Sequence, residues 1–469
     1  MRIEELHLKN FCGFKELTIQ FPESNIAVFI GNNGSGKTTI LKSVVLLLSW
    51  LIARIEREKG LGSPISDLEI LNGTSFSEIK IKLKENNELF EWSLAKTAKG
   101  KKKQVESKLI DVSKLADIYR TQYTENDNSS FPLIIYYPVE RSVLDVPLKI
   151  RTKHNFSQLD GYDNALSQGV DFRRFFEWFR DREDIENERL SKETRQVELF
   201  DSTINSIKEL YKKIENHDDN HIDKEKLKTE ILENHDFLDK VYNELMKKVS
   251  DIQLNSVRNS IKNFMPDFYN LEIQRKPRLR MLVNKIDVKE SLDVLQLSQG
   301  EKSLMALVGD IARRLAMMNP TLENPLEGTG IILIDEIELH LHPQWQRSVI
   351  PNLQKTFPNI QFIITTHSPQ VLSRVHRDNI FILDNTEVYQ PSSNPIGRDT
   401  NGILEEVMQV SKRPKEIQEL SDKYFSLLNR NQFDEAQLIR TELEQQLDKD
   451  DPIFVGADAL ITRKMLLRK

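Results

Sequence analysis

The stretch that most constrains the fold runs from Phe29 to Val44 and reads FIGNNGSGKTTILKSV. A short apolar strand enters a glycine-rich turn, and a helical pattern begins at Thr38. Gly31 to Thr38 match G-x-x-x-x-G-K-[ST], whose glycines let backbone N–H groups converge on phosphate oxygens. An ordinary glycine turn before a helix is the alternative interpretation. With the strand before it and the helix after it, the stretch predicts a phosphate-binding loop.

The positions of this loop have expected roles. The Lys37 ammonium is expected to contact the β- and γ-phosphates of a nucleotide, and the Thr38 hydroxyl is expected to bind Mg²⁺. The positive end of the following helix points at the same anion. The other residues that we expect to contact the nucleotide are Asn32, Asn33, Gly34, Ser35, Gly36 and Thr39.

A second candidate group follows a buried strand late in the chain. The four aliphatic residues Ile331–Ile334 are followed at once by Asp335 and Glu336. Asp335 is expected in the Mg²⁺ shell opposite the loop. Glu336 stands one residue further, where a general base could polarise an attacking water. Alternatively, the two carboxylates mark only the end of a strand.

The sequence LSQGEKS, from Leu297 to Ser303, predicts the start of another helix. Ser298 suits the N-cap position, and Glu301, three residues later, completes a capping box. A well-capped helix without a further role is one interpretation. However, Ser298 and Gly300 at a helix N-terminus also form an anion site.

In this order the motifs resemble those of the ABC-type ATPases, within their RecF/SMC/Rad50-like branch. The resemblance implies that two chains sandwich two ATP molecules with Mg²⁺. His367, in ITTHSP, resembles the switch histidine that contacts the γ-phosphate, and Glu338–Pro343 stands where the dimer-contact loop of the family follows the carboxylate pair. The implied signature residues, which would touch the ATP held by the other chain, are Ser298, Gln299, Gly300 and Glu301.

One family element departs from its usual form. The family has a glutamine after a strand of its first lobe, near the metal and the attacking water, but Tyr136–Ser142 reads YYPVERS. Gln168 is another candidate. The resemblance therefore leaves the water-positioning residue open, and a nucleotide-binding structural protein with little hydrolysis is an alternative.

The chain divides into four predicted segments of an α/β fold. An ABC-ATPase head, with a mixed-sheet lobe and a parallel-sheet core, comprises residues 1–171 and 263–390. An antiparallel helical hairpin with heptad-like seams is inserted at residues 172–262, unless its helices pack flat on the core. A helical tail at residues 391–469 suits contact with a partner or self-association. The predicted seam residues are Val197, Ile204, Ile207, Tyr211 and Ile214, then Leu227, Ile231, Leu238, Val241 and Leu245.

Two further stretches resemble a narrower group. Phe175–Glu188 and Gly397–Pro414, with the helical tail, are similar to the compact PtuA-like ATPases of Septu-type and retron-linked anti-phage systems. That resemblance implies an ATP-dependent regulatory subunit that works with a separately encoded HNH-type nuclease, and assembly beyond a dimer. A packed aromatic helix and a capping helical bundle are the simpler interpretations.

A DNA-repair or DNA-clamping ATPase of the same branch is the alternative function. Its candidate DNA contacts are the basic stretch Arg275–Arg280 and the loop Lys96–Lys103, although exposed lysine loops are usually just solvated. The net charge of −6 argues weakly against a uniformly basic surface but allows a local patch. After His367, no strand-end glutamate is followed by an Asp-x-Asp strand, so no built-in nuclease is expected.

Cysteine content and hydropathy predict a reducing compartment and no membrane contact. Cys12 is the single cysteine of the sequence, so no intrachain disulfide can form and a cytoplasmic location is expected. The longest apolar stretch, Ile40–Ala53, is interrupted by Lys42. We expect it to be too short to cross a bilayer.

Overall fold

The computed structural model of the chain describes residues 1–140, 156–167, 169–216, 221–408 and 413–466. In chain order the strands are β1 (Arg2–Phe11), β2 (Phe14–Gln20), β3 (Ile26–Gly31), β4 (Phe76–Glu85), β5 (Glu88–Thr97), β6 (Leu133–Tyr137), β7 (Phe268–Gln274), β8 (Arg280–Lys285), β9 (Leu292–Asp293), β10 (Gly330–Ile334), β11 (Ile360–Thr365), β12 (Ile380–Asp384) and β13 (Glu387–Tyr389). The α-helices are α1 (Lys37–Glu56), α2 (Ile110–Glu125), α3 (Phe172–Lys192), α4 (Thr194–Asn216), α5 (His221–Val249), α6 (Ile252–Phe264), α7 (Gln299–Met318), α8 (Pro343–Thr356), α9 (Pro369–Leu372), α10 (Thr400–Glu406), α11 (Lys415–Asn429), α12 (Phe433–Glu444) and α13 (Pro452–Leu466).

A six-stranded sheet forms the core of the head. Its order is β13-β12-β3-β11-β10-β6, and all of these strands except β13 run parallel to one another. Every residue of β6, β10 and β11 is buried, which is typical of a parallel sheet covered on both faces. Because the strands are parallel, the loops that follow β3, β10 and β11 emerge at one edge of the sheet.

The other two sheets are both antiparallel. A four-stranded antiparallel sheet has the order β2-β1-β4-β5, and a small antiparallel sheet has the order β7-β8-β9. Burial alternates along β4, as expected where successive side chains point to opposite faces. The predicted α/β fold class with a parallel-sheet core is confirmed, and the two smaller sheets are antiparallel rather than mixed.

Buried charges tie α7 to the parallel sheet. Fully buried Asp310 accepts hydrogen bonds from Arg313 at 2.7 Å, from Arg314 at 2.9 Å and from the Tyr137 hydroxyl at 2.9 Å. Burial acts to raise the pKa of Asp310, but the two guanidinium groups outweigh burial and hold the pKa below its usual value. Since Tyr137 is the last residue of β6, which pairs with β10, this network positions α7 relative to the sheet edge.

Helix α1 is longer than the apolar stretch visible in the sequence. It has 20 residues and, by length and composition alone, could cross a membrane. The expectation that it is too short is therefore wrong, because the helix extends from Lys37 to Glu56 and Lys42 lies exposed on its surface. Half of its most apolar window is buried in the protein, as in the core helix of a globular domain.

Helices α4 and α5 form the antiparallel hairpin. They have 23 and 29 residues, which corresponds to lengths of about 35 and 44 Å. Their buried residues lie outside the main hydrophobic core, to which α3 contributes Phe175 and Trp178. The hairpin thus has a seam of its own. Residues 217–220, between α4 and α5, lie outside the described residues.

The composition of this seam differs from the prediction at Tyr211, and the side chains of the predicted Ile214 and Leu227 lie outside the described residues. Tyr211 is 51% exposed, whereas Leu210 beside it is buried. The contact face of α4 passes through Thr203, Ile207 and Leu210, at spacings of four and three residues, so Tyr211 lies just off it. Among the α5 side chains that the structure describes, Ile231, Val241, Leu245 and Val249 are buried.

The last three helices pack into a bundle with a separate core. Buried Tyr424, Leu443 and Phe454 come from α11, α12 and α13 in turn. A bidentate ion pair between Arg413 and Asp451, at 2.8 and 3.0 Å, joins the start of the bundle to the turn before α13. The main core instead ends with α10 and the residue after it, Val407.

A matched pair of leucines on α12 tests this separate core. Leu443→Ala should destabilise the bundle by about 2–5 kcal/mol, because it deletes a fully buried side chain. Leu438→Ala makes the same change where the side chain is 72% exposed and should have little effect. Hydrogen exchange should show lost protection in α11–α13 for Leu443→Ala only, with α1 unchanged. Equal loss in α1 would contradict the separation of the two cores.

Candidate functional site

The glycine-rich loop joins β3 to α1 in the predicted way. Gly36 is the N-cap of α1 with a φ of 103°, a left-handed conformation that favours glycine. A side chain there would also collide with the ring of Phe14. The Lys37 ammonium donates hydrogen bonds to the carbonyls of Gly31 at 2.9 Å and Asn32 at 3.0 Å. The loop therefore already folds around its lysine.

The electrostatic environment of Lys37 is set by burial and by carboxylates. The side chain is 6% exposed, and burial lowers its pKa. The charges of Asp335, Glu336 and Glu338 oppose this effect and favour the ammonium form. A buried ammonium that donates its hydrogen bonds to neutral carbonyls would gain by contacting a phosphate oxygen.

Asp335 lies between two threonine hydroxyls at the sheet edge. Thr38 donates to Asp335 Oδ2 at 2.8 Å, and Thr365, the last residue of β11, donates to Oδ1. Asp335 is 1% exposed. The structure thus brings together Thr38 and Asp335, the two residues predicted to bind the metal. The sequence analysis missed Thr365, although a threonine at the end of a buried strand was a usable signal.

Glu336 occupies an unusual backbone conformation. Its φ of 47° is left-handed, which is uncommon for a residue other than glycine, and its N–H donates to the Thr365 hydroxyl at 2.8 Å. The same hydroxyl therefore donates to Asp335 and accepts from Glu336. Backbone strain of this kind clusters at functional sites, and here it turns the chain directly after Asp335.

His367 lies in the segment that follows β11. Its backbone N–H donates to Glu338 Oε1 at 2.5 Å, and the hydroxyl of the preceding Thr366 donates to Oε2 at 2.7 Å. The sequence analysis placed Glu338 only in a predicted dimer-contact loop. Its contact with the switch segment could not be seen in the sequence, because Glu338 lies 28 residues before Thr366 and 29 residues before His367.

The signature residues begin α7 as predicted. Ser298 is the N-cap, and its hydroxyl accepts the Glu301 N–H at 3.3 Å while Glu301 Oε2 accepts the Ser298 N–H at 2.8 Å. Glu301 Oε1 also forms an ion pair with Lys285 at 2.9 Å. Burial acts to raise the pKa of Glu301, but these hydrogen bonds lower it further than burial raises it. Glu301 is thus engaged in holding the signature turn.

The signature group lines a cavity at the start of α7. Ser298, Gly300 and Trp345 line a cavity of about 1030 Å³ between the start of α7, the end of α6 and the start of α8. Within the described chain, the residues lining this cavity include none from the phosphate loop. Gln299, on the first turn of α7, is exposed.

The proposed basic DNA contacts are partly neutralised within the chain. Arg275 forms ion pairs with Glu183 at 2.9 Å and with Asp184 at 2.5 Å. In the lysine-rich loop, Lys103 pairs with Glu106 at 2.7 Å. These contacts reduce the cationic surface that a direct DNA interface would use.

The candidates for the water-positioning residue are only partly described. Tyr136 and Tyr137 end β6, but Arg141, Ser142 and Gln168 lie outside the described residues. The identity of this residue stays a prediction.

Comparisons with known proteins give the following similarities. Residues 1–372 match the protein family described as "AAA ATPase domain". The chain is 35% identical to the "Retron Ec83 probable ATPase" of Escherichia coli, over 99% of this chain and 87% of that protein. It is 36% identical to the "Retron Vc95 probable ATPase" of Vibrio cholerae serotype O1 biovar El Tor, over 92% of this chain and 85% of that protein. A match of 32% identity relates 33% of this chain to 22% of the Septu protein PtuA of Bacillus mycoides strain KBAB4.

The bridging hydroxyl of Thr365 generates a prediction. Thr365→Val should lower the free energy of unfolding by about 1–3 kcal/mol, because it removes the buried hydroxyl that donates to the Asp335 carboxylate and accepts the Glu336 N–H. Magnesium-dependent affinity for ATP should fall as well, since one of the hydroxyls that orient Asp335 is lost. Thr365→Ser keeps the hydroxyl and should stay near wild type in calorimetric titrations and in thermal unfolding. Equal behaviour of the two variants would contradict this role.

Proposed function

The chain belongs to the AAA ATPase domain family, alongside the retron ATPases that it matches over nearly its whole length, and from that premise we propose that it is the ATP-dependent regulatory subunit of an anti-phage defence complex. The ATPase activity that the motifs predict is confirmed by this membership. In the proposal, two copies of the chain bind ATP and Mg²⁺ between them. The closed pair controls a separately encoded HNH-type nuclease.

The observation that carries the proposal is the contact of 2.8 Å between the Thr38 hydroxyl and the Asp335 carboxylate. Both groups supply oxygen ligands of the kind that Mg²⁺ prefers. Lys37, the proposed phosphate contact, precedes Thr38 at the start of α1. This donor set fits a magnesium ion: Thr38 and Asp335 would hold it, and its charge would offset the negative charge that develops during phosphoryl transfer. Glu336 is the proposed general base, and His367 is the proposed contact to the γ-phosphate.

The cavity beside the signature turn supports a site shared by two chains. Ser298 and Gly300 line their own cavity, whereas Thr38 and Asp335 meet at the edge of the parallel sheet. A twofold axis makes the same pair of surfaces meet twice. Such an axis would set Ser298 of each chain against the nucleotide held by Lys37 of the other.

The defence role is supported by the relatives and by the surface of the tail. Two relatives matched over more than nine-tenths of the chain carry retron names, and a third carries the name of a Septu protein. The tail bundle exposes Leu438, Val455 and Leu466, and exposed apolar side chains of this kind suit a protein partner. We place the complex in the cytoplasm, where its single Cys12 would stay reduced.

Mixing two inactive variants tests the shared site. Lys37→Ala removes the phosphate-loop cation, and Ser298→Asp keeps a good N-cap while adding a negative charge beside the γ-phosphate. Each variant alone should lose ATP turnover. In an equimolar mixture about half of the dimers are mixed and carry one intact site each, so turnover should recover to about a quarter of wild type.

Ser298→Asn is the matched control for this experiment. Asparagine is also a good N-cap but is neutral, so this variant should keep most of the turnover. A mixture that shows no recovery would mean that each chain hydrolyses ATP alone. Wild-type protein without turnover under any partner condition would instead favour a nucleotide-binding structural protein.

Co-expression with the neighbouring reading frames of its locus tests the partnership. A tagged chain should co-purify a protein that carries His-Asn-His metal residues. Glu336→Gln, which removes the proposed base and should trap ATP, is expected to change the amount of bound partner or its nicking activity relative to wild type. The direction of that change tells whether ATP restrains or activates the nuclease.

Two results would count against this partnership. One is a set of neighbours that lack such residues or do not bind. The other is turnover by the isolated chain that DNA stimulates and that salt suppresses steeply, because phosphate contacts are salt-dependent. The second result would favour the DNA-clamping alternative.

A further inference from the structure

The loop after β10 holds the candidate switch segment through one side chain. The two oxygens of Glu338 accept the His367 N–H at 2.5 Å and the Thr366 hydroxyl at 2.7 Å. A single carboxylate therefore binds donors from two consecutive residues. Hydrogen bonds to a charged acceptor are roughly twice as strong as neutral ones, so this contact joins the loop firmly to the segment after β11.

The backbone of the loop is shaped for this contact. Glu336 and His340 have left-handed φ values of 47° and 64°. Between them, the Ile337 N–H donates to the Thr365 carbonyl at 3.1 Å. These turns lay the loop across the end of β11, which brings Glu338 to the switch segment. The conformational free energy that these two left-handed residues cost is offset by the hydrogen bonds that the loop forms with the end of β11 and with His367.

The same loop also reaches the signature turn. The space beside Gly300 is filled by the His340 carbonyl, so a side chain at Gly300 would collide with it. On the other side, Gln346 of α8 donates to the Leu341 carbonyl at 2.8 Å and accepts from the Ser368 hydroxyl at 2.6 Å. The loop therefore contacts both the signature turn and the switch segment.

We infer that Glu338 is a positioning residue, whose carboxylate holds the backbone of His367 and so sets where the histidine side chain lies. This inference rests on the proposed role of His367 at the γ-phosphate. Removing the carboxylate releases the His367 N–H and the Thr366 hydroxyl together, and the histidine side chain is displaced with them.

Turnover measurements in two backgrounds test the inference. Glu338→Ala should lower kcat on the order of 10- to 100-fold, because misplacing a group near the reacting atoms by about 1 Å costs up to 100-fold. KM for ATP should change by less than about threefold, since ground-state binding is not removed. In a His367→Ala background, Glu338→Ala should have no further effect, because both changes remove the same function.

A conservative pair on the partner residue provides the control. Thr366→Ser keeps the hydroxyl that Glu338 binds and should retain kcat, whereas Thr366→Val removes it and should lower kcat. This pair also tests the inference if Glu338→Ala fails to fold. Equal kcat values for the two variants, or losses that multiply between Glu338→Ala and His367→Ala, would overturn the role of Glu338.

A failure of the proposed function would look different. If His367→Ala keeps full turnover, the switch assignment is wrong and the role of Glu338 falls with it. If the mixed Lys37→Ala and Ser298→Asp chains show no recovery, the shared site is wrong, whatever Glu338 does.

Discussion

The alignment of three parallel strands is the constraint on which the candidate site depends. β3, β11 and β10 are neighbours, and their registers pair Thr365 with Phe29 and Ile334 with Ile364. The phosphate loop, the switch segment and the Asp-Glu pair therefore leave the sheet at one edge. A slip of one residue in β11 would turn the Thr365 side chain to the opposite face, and the hydroxyl that joins Asp335 to Glu336 would be lost.

Two consecutive threonines, the last residue of β11 and the residue after it, bind different carboxylates at this edge. The Thr365 hydroxyl contacts Asp335 and Glu336, whereas the Thr366 hydroxyl contacts Glu338. A hydroxyl suits this use because it can donate one hydrogen bond and accept others. Both residues are fully buried, so their polar atoms must find partners inside the protein. The proposed metal site and the proposed switch segment are consequently organised by adjacent residues.

The signature helix is attached to the same sheet by different means. Asp310, two arginines and Tyr137 form a buried charged network between α7 and β6. Buried charges tolerate little displacement, because each would lose a partner in a medium that cannot solvate it. The start of α7 is thus held relative to the site, while its N-terminal residues face a separate cavity. This arrangement suits a chain that offers one half of a site to another copy.

What the sequence by itself determined is local chemistry. The phosphate loop, the strand ending in Asp335 and the capping box at Ser298 each lie within a few consecutive residues, so their geometry follows from backbone rules. Only the tertiary structure decided which strands are neighbours, and hence that Thr38 meets Asp335 across 297 residues. It also decided that Tyr211 lies off the hairpin seam and that Glu338 binds the switch segment, because both depend on which faces pack together. The spacing of apolar residues shows that one face of a helix is apolar. Only the packed structure shows whether a residue at the edge of that face is buried.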